Sequence, residues 1–355
     1  MAEMTSRERV LLALNHKEPD RVPIHDSPWG TTVARWRKEG LPEGVSPAEY
    51  FGYEFVGFGA DLSLQLPTEV IEETDEYIVV RDADGAVVKN WKHRTSTPEK
   101  RDFLIKDRKT WEEYKERMTY NDSRINWNAV EACKKAREQG KFVTFNAAVG
   151  YDRTQGLVGS VNLLMAMIDD PEWVKDMFRA NAELVIACAE EMMAKGFEFD
   201  GAFLFDDNGY RNDTLFSPAA YKELLFPYHK MLCDFFKSKG LPIILHSCGC
   251  VKKFIPYYIE AGFTCLQPLE VKAGMDLIEL KKTYGDVLAF MGGIDVRKMA
   301  ADDPREIEEE IRTKITFAKK GGGYIYHSDH SVPDNVSFER YKYVIELVRR
   351  YGRYD

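Results

Sequence analysis

Short apolar runs alternate with longer helical patterns from about residue 125 onward, and this alternation restricts the fold more than any other feature of the sequence. Such a pattern is typical of βα units built on a parallel sheet. The predicted strands are residues 142–145, 201–205, 242–245, 263–266, 287–291 and 323–326. With one or two further strands near residues 22–25, they predict an α/β fold, a (β/α)₈ TIM barrel with an N-terminal elaboration.

Two of the intervening helices carry clear start and stop signals. Ser217 followed by Pro218 predicts a helix start, because serine caps the first turn and proline fits its first position. This helix is expected to end near Gly240. The Asp303-Pro304 pair predicts another start, and the apolar spacing after it continues to the glycines at 321–323.

Residues 1–120 differ from the βα pattern. Thr5 and Glu8 have the spacing of a capping box and predict a short first helix. Residues 77–80 and 87–88 flank an Asp-Gly turn and predict a β-hairpin. We therefore expect one domain over residues 1–355, with an N-terminal helix and barrel elaboration in 1–120 and the main βα units in 121–355.

Charge and cysteine content exclude several classes of function. Lys and Arg total 49 against 58 Asp and Glu, and a net charge of −9 gives no basic field for nucleic acid. A polar start at residues 1–10 and the lack of a run of about 18 apolar residues predict a cytoplasmic protein without a membrane span. Six cysteines are too few for a disulfide framework, so we expect thiols that are free for packing, metal binding or nucleophilic chemistry.

Nucleotide cofactors and serine nucleophiles lack their usual motifs. The sequence contains no Gly-x-Gly-x-x-Gly after a strand, no P-loop and no Gly-x-Ser-x-Gly elbow. The chemistry must therefore come from the polar residues that follow the predicted strands, because active sites of such barrels lie at the C-terminal strand ends.

His246 and Cys248 form the strongest local signal. Alternate residues at a strand end project to the same side, and a thiolate beside an imidazole favours zinc. His330, after another strand, is a candidate third ligand and a candidate catalytic residue. The alternatives are a buried thiol with a histidine satisfied by backbone, and a His330 that caps the helix after Asn335.

Carboxylates and amides follow the other strands. Asp207 is a candidate acid or base and Asp206 a candidate substrate contact, although adjacent residues usually point apart and one of the two can serve as a cap. Glu270 is a candidate metal ligand, with helix capping or ion pairing as the alternative. The remaining candidate substrate contacts are Asn146, Tyr151, Gln267 and Asp295.

Several segments, in order along nearly the whole chain, resemble the uroporphyrinogen decarboxylase superfamily. They are TSRERV at 5–10, PDRVP at 19–23, HSCG at 246–249, LQPLE at 266–270, FMGGID at 290–295 and SDHSVP at 328–333. Within that superfamily the chain is similar to the corrinoid-associated methyltransferases, which are (β/α)₈ barrels with zinc on a His-x-Cys pair and a later ligand. His246 and Cys248 match the pair, and His330 falls near the place where the family often has a second cysteine.

The resemblance implies a zinc-assisted methyltransferase. It would move a methyl group between a small methyl ether, thiol or amine and a corrinoid (cobalamin) carried by a separate protein. Zinc would act as a Lewis acid on the oxygen or sulfur of the substrate, with Asp207 as a possible acid.

A tetrapyrrole decarboxylase is the alternative, because Asp61 and His330 can align with decarboxylase positions. That enzyme is expected to carry an Arg-Gln-Ala-Gly-Arg stretch for its polyanionic substrate, whereas residues 25–30 read HDSPWG here. A third possibility is a barrel that binds a corrinoid or a methylated metabolite without turnover.

Overall fold

A computed structural model describes residues 3–95 and 97–354. The chain forms a seven-stranded parallel sheet in the order β1-β6-β7-β8-β9-β10-β11 and a four-stranded antiparallel sheet in the order β2-β3-β4-β5. The strands are β1 (Phe55–Gly59), β2 (Glu69–Glu73), β3 (Tyr77–Arg81), β4 (Val87–Trp91), β5 (Glu99–Asp102), β6 (Phe142–Ala148), β7 (Gly201–Phe205), β8 (Ile243–His246), β9 (Cys265–Gln267), β10 (Ala289–Met291) and β11 (Tyr324–Ile325).

Helices connect the parallel strands and fill the N-terminal part. The α-helices are α1 (Ser6–Leu14), α2 (Gly30–Lys38), α3 (Pro47–Phe51), α4 (Arg108–Tyr114), α5 (Val130–Glu138), α6 (Gly150–Val158), α7 (Ser160–Asp169), α8 (Pro171–Ala194), α9 (Pro218–Ala220), α10 (Phe226–Ser238), α11 (Ile255–Ala261), α12 (Leu277–Tyr284), α13 (Val296–Met299), α14 (Pro304–Ala318) and α15 (Phe338–Tyr351). Short 3₁₀ turns span Lys115–Met118, Asp122–Arg124, Trp127–Ala129, Lys252–Phe254 and Val271–Ala273, and Tyr221–Leu225 is a π-helical turn.

The six predicted strands of the βα region are confirmed. β7 has the predicted bounds, and the other five differ by one to three residues at an end. The predicted hairpin is confirmed as β3 and β4, which belong to the separate antiparallel sheet. The capping box on Thr5 is also confirmed, because the Thr5 side chain accepts from the Glu8 N–H and the Glu8 side chain accepts from the Thr5 N–H.

Both helices with clear start signals are confirmed, with one difference. Asp303 caps α14, whereas the helix predicted from Ser217 is divided into α9, the π-helical turn and α10. Pro227 lies in the first turn of α10, where its missing N–H removes one bond of the α-helical ladder. The local signals therefore place the ends of this helix but not the irregular turn inside it.

The prediction of a strand at residues 22–25 was wrong. This segment forms one parallel bridge, from Ile24 to Tyr326 beside β11, and the Ile24 carbonyl accepts from the Glu54 N–H at 3.0 Å. The N-terminal strand of the sheet is β1 instead. Gly57 and Gly59 make β1 hard to recognise in the sequence, because glycine weakens a strand pattern. A Cβ at Gly57 would lie 2.1 Å from the amide nitrogen of Asn146, so the glycine admits that side chain.

The interior of the curled sheet is filled from every parallel strand. A buried apolar cluster takes Phe55 from β1, Phe142 from β6, Phe203 from β7 and their counterparts on the other four strands. Helix α1 adds Val10 and its apolar neighbours to this cluster, which explains the use of the capped first helix. Within the described residues, no helix is both long and apolar enough to cross a membrane.

Candidate active site

A cavity of about 430 Å³ opens at the C-terminal ends of the parallel strands. Four of the seven histidines of the chain line it, and no lysine or arginine of the described residues does. Its lining residues are His25, Ser27, Phe55, Gly57, Thr144, Asn146, Phe203, Phe205, Asp207, His246, Cys248, Gln267, Pro268, His327, His330 and Ser331. The cavity therefore joins an aromatic wall to imidazole, amide, hydroxyl and thiol groups.

Three candidate ligands for a metal meet in this cavity. The Sγ of Cys248 lies 3.4 Å from the Nε2 of His246, and that Nε2 lies 3.4 Å from an oxygen of Asp207. All three ligand atoms lie within 4.8 Å of one another. The structure thus brings the predicted His246 and Cys248 together, and it adds Asp207, which was predicted as a catalytic residue.

The backbone around Gly249 sets this geometry. β8 ends at His246, and the Cys248 N–H then donates to Asp207 at 2.7 Å. Gly249 has φ of 79°, and a Cβ there would lie 2.4 Å from the backbone of Gly209. Only glycine allows this left-handed turn and this close approach together, so the two strand-end loops stay in contact and hold the thiol beside the carboxylate.

The ring of His246 is oriented by an amide. Its Nδ1–H donates to the side-chain carbonyl of Gln267, which is buried, and this leaves the lone pair on Nε2 facing Cys248 and Asp207. The amide nitrogen of Gln267 lies 3.4 Å from the Nε2 of His327. The Nδ1–H of His327 donates to the carbonyl of Ser328 at 2.7 Å. Gln267 therefore touches the cavity but also connects two imidazoles.

Burial and negative charge oppose ionisation of the Cys248 thiol. Burial raises the pKa of Cys248 well above its usual value, and the charges of Asp207 and Glu270 raise it further. The positive charge of Lys272 opposes this rise in pKa only weakly. A positive ion at this point would reverse the balance, because a metal favours the thiolate.

The structure does not bring His330 and Glu270 into the same ligand cluster. His330 lines the cavity beside Trp29, with ring centroids 5.8 Å apart, and burial lowers its pKa. Glu270 accepts from the Gly249 N–H at 2.7 Å and pairs with Lys272 at 2.8 Å. Glu270 thus supports the loop that carries Cys248, and both residues remain predictions as metal ligands.

Asp206 and Asp207 point to opposite sides, as adjacent residues usually do. Asp206 is fully buried and accepts from the Nε2–H of His229 and from the Asp152 N–H, each at 2.7 Å. The other ring nitrogen of His229 lies 2.8 Å from the hydroxyl of Tyr221. Asp206 therefore faces the helical layer, and the structure leaves Asp207 as the carboxylate of this pair in the cavity.

Of the other predicted substrate contacts, one lines the cavity and two do not. Asn146 lines the cavity. Tyr151 is buried, and its hydroxyl lies 2.5 Å from the Ser160 hydroxyl. Asp295 caps α13 and pairs with Arg297 at 2.7 Å. Tyr151 and Asp295 therefore lie outside the cavity wall in this structure.

Sequence reasoning missed His25 and the aromatic wall. Phe203 and Phe205 alternate with Asp207 along β7 and just past its end, and His246 and Cys248 do the same at the end of β8. Since alternate residues of a strand share a face, this pattern carries the signal that assigns Phe203 and Phe205 to the cavity. Nothing local marks His25 as a cavity residue, because its place follows from the bridge between Ile24 and Tyr326, some 300 residues away.

Sequence comparison identifies one family and two curated relatives. The family model "Uroporphyrinogen decarboxylase (URO-D)" matches residues 147–351. A methylated-thiol–coenzyme M methyltransferase from Methanosarcina mazei is 26% identical over 143 residues, or 39% of this chain and 35% of that protein. A uroporphyrinogen decarboxylase from Vesicomyosocius okutanii subsp. Calyptogena okutanii is 22% identical over 189 residues, or 53% of this chain and 52% of that protein. The chain thus spans about a third to a half of the length of these curated relatives.

The fold has a solved counterpart that extends over the whole chain. A methyltransferase from Methanosarcina mazei superposes with a TM-score of 0.69 and 17% sequence identity, covering 98% of this chain and 99% of that one. At this sequence identity the match shows the fold alone. Because it covers 98% of the chain, it extends over nearly all of the N-terminal 146 residues that the family model does not match.

Proposed function

The chain belongs to the uroporphyrinogen decarboxylase family, and from that premise we propose that it is a zinc-assisted methyltransferase. It would move a methyl group between a small methylated substrate and a corrinoid carried by a partner protein. A methyltransferase among its sequence relatives supports the reaction class. A methylated thiol, named for the Methanosarcina mazei relative, is one candidate substrate beside methyl ethers and methylamines.

The cluster of His246, Cys248 and Asp207 carries the proposal. Zinc prefers nitrogen, sulfur and carboxylate oxygen, and catalytic zinc sites use three protein ligands and leave a fourth position open. In a tetrahedral site with bonds of about 2.0–2.3 Å, neighbouring ligand atoms lie roughly 3.3–3.6 Å apart. The two spacings of 3.4 Å in this cluster fit that arrangement before any adjustment of the side chains.

The residues around the cluster have definite tasks in this proposal. Zinc, when bound, supplies a Lewis acid for the oxygen, sulfur or nitrogen that bears the methyl group. Gln267 fixes the ring of His246 with its Nε2 lone pair toward the cavity. Asp207, only partly exposed, holds the loop through the Cys248 N–H. Phe203 and Phe205 line the cavity and would exclude water from one side of the methyl group.

The charge of the cavity opposes the decarboxylase alternative. A porphyrinogen that bears many carboxylates needs cationic partners, and the lining within the described residues includes none. Asp207 instead adds a negative charge to the cavity. An uncharged or cationic methylated compound fits this wall better than a polyanion.

The place of the cavity in the fold also supports the proposal. We infer that residues 22–25 occupy the eighth position of a closed barrel, between β11 and β1. The Ile24–Tyr326 bridge and the hydrogen bond from Glu54 to Ile24 support this closure. The cavity would then be the C-terminal mouth of the barrel, the usual place for an active site in this architecture.

Zinc content and methyl transfer test the proposal together. We expect about one zinc per chain by elemental analysis after zinc-replete purification. Methyl ethers, thioethers and methylamines should be offered as donors to free cob(I)alamin, with methylation followed by its absorbance change. Cys248→Ala should lose both zinc and methyl transfer, because the thiolate contributes to the metal site directly.

Cys250→Ala is the matched control. Cys250 lies two residues away on the same loop, packs against the apolar core and does not line the cavity. This variant should keep both zinc and transfer. A wild-type protein without metal, or a Cys248→Ala variant with full transfer activity, would overturn the proposal.

A further inference from the structure

His25 lies in the wall of the cavity that is distant, in the order of the strands, from the wall with the metal cluster. Its segment adjoins β11 through the Ile24 bridge, and β11 is three strands from β8, which carries His246. The His25 ring packs against Phe55 at 5.0 Å and His327 at 5.9 Å between ring centroids. This wall is separate from the His246, Cys248 and Asp207 cluster, and none of the functional roles above uses His25.

The two nitrogens of His25 have different surroundings. Nδ1 is buried and has no hydrogen-bond partner among the described residues. Nε2 also has no hydrogen-bond partner within the described residues, but unlike Nδ1 it is not buried. Nε2 is therefore the nitrogen that is open to the cavity. An orphaned buried N–H is costly, whereas an N–H that faces the cavity can be satisfied by a ligand or water. The proton of the neutral ring therefore belongs on Nε2.

The other two cavity imidazoles with assigned tautomers have the opposite arrangement. His246 and His327 both donate through Nδ1–H, to Gln267 and to the Ser328 carbonyl, and both keep a lone pair on Nε2. His25 is thus the imidazole of these three that offers a donor N–H to the cavity.

The ring of His25 is neutral. Burial lowers its pKa to about 3, and the nearby His327 and Lys141 lower it in the same direction. The donor is therefore a dipole and not a cation, and no lysine or arginine among the described residues reinforces it in the cavity. Such a wall favours an uncharged acceptor over an anion, because an anion would lose its hydration without gaining an opposite charge.

We propose that His25 forms a hydrogen-bond-donor subsite for an uncharged oxygen of the methylated substrate, remote from the atom that bears the methyl group. The ligand class is a neutral methylated compound with a second oxygen, such as a carbonyl or an ether, and an apolar body that packs on Phe55 and Phe203. The inference rests on the proposed function, which supplies the methylated substrate and places its methyl group at the opposite wall.

Binding of two matched probes tests this subsite without methyl transfer. 4-Methoxyacetophenone carries the second oxygen, and 4-isopropylanisole replaces that carbonyl by a carbon of similar shape. Dissociation constants should be measured by ligand-observed NMR with the zinc-loaded protein. We expect the wild type to prefer the ketone by about tenfold, the effect of one satisfied hydrogen bond in a desolvated wall.

Two variants separate hydrogen bonding from shape. His25→Phe keeps a ring in the wall but removes the donor, and it should abolish the preference. His25→Gln keeps an N–H donor and should retain part of it. Zinc content should be unchanged in both variants, because His25 is not in the ligand cluster.

Each outcome is decisive for the subsite. A wild type that binds both probes equally would overturn it without recourse to any variant, and so would a His25→Phe protein that keeps the preference. A wild-type protein that contains no zinc or transfers no methyl group would refute the proposed function instead. The two failures are therefore distinguishable.

Discussion

Replacing Gln267 by leucine is expected to weaken zinc binding although Gln267 does not belong to the ligand cluster. The Gln267 carbonyl accepts the Nδ1–H of His246 and so fixes the ring with Nε2 toward Cys248 and Asp207. Leucine has a similar volume and suits a site that is only 3% exposed, so packing should survive. The variant therefore isolates the hydrogen bond that orients a ligand.

The magnitude follows from what the ring loses. Residues that orient a ligating histidine typically contribute 10- to 100-fold in metal affinity, or about 1.4–2.7 kcal/mol. The second contact of Gln267, with His327, is long at 3.4 Å and adds little. We expect a value near the upper end, because the Nδ1–H points toward the buried position 267, where leucine would remove its acceptor and leave little room for water.

Competition with a chromogenic zinc chelator measures this effect at fixed pH. Gln267→Glu is the matched control, since its carboxylate still accepts from Nδ1–H and makes the imidazole more basic. The glutamate variant should bind zinc at least as tightly as the wild type. A Gln267→Leu protein with an affinity within twofold of the wild type would refute the reasoning, because the ring would then be oriented by something else.

Two further predictions concern stability. Asp206→Ala should lower the free energy of unfolding by about 3 kcal/mol in urea titrations, because it leaves the buried N–H of His229 and the part-buried N–H of Asp152 without an acceptor; a loss below 1 kcal/mol would show that water replaces the carboxylate. Asp152→Asn should stabilise the protein at pH 8 by about 2 kcal/mol and hardly at pH 4. Burial and the charge of Asp207 raise the pKa of Asp152 to about 6, so the folded state binds the extra proton and the wild type loses stability as pH rises from about 4 through 6. Equal gains at both pH values would contradict this sign.

The elements that the sequence predicted correctly depend on neighbours in the chain. The capping box at Thr5, the Asp303 cap of α14 and the apolar runs of β6 to β11 are local patterns. Local steric and hydrogen-bonding preferences create such signals, so they are readable without the fold. The same holds for the His246 and Cys248 pair, whose spacing of two places both side chains on one side of a strand end.

β1 and the sheet partner of residues 22–25 could not be read in this way. Gly57 and Gly59 weaken the strand pattern of β1, and they are present because Asn146 occupies the space where a Cβ would lie. Residues 22–25 have no partner strand nearby in the sequence. Their bridge goes to Tyr326, some 300 residues away. Pairing over such a separation depends on the assembled sheet.

By itself the sequence determined the fold class, the strands of the βα region and the chemistry available at their ends. Only the tertiary structure decided which of these groups meet. It placed Asp207 beside His246 and Cys248, turned Asp206 toward His229, left His330 at another part of the wall and brought His25 into the cavity. The physical reason is that a residue type fixes what a side chain can bind, whereas its partners, burial and charge state arise from packing between distant segments.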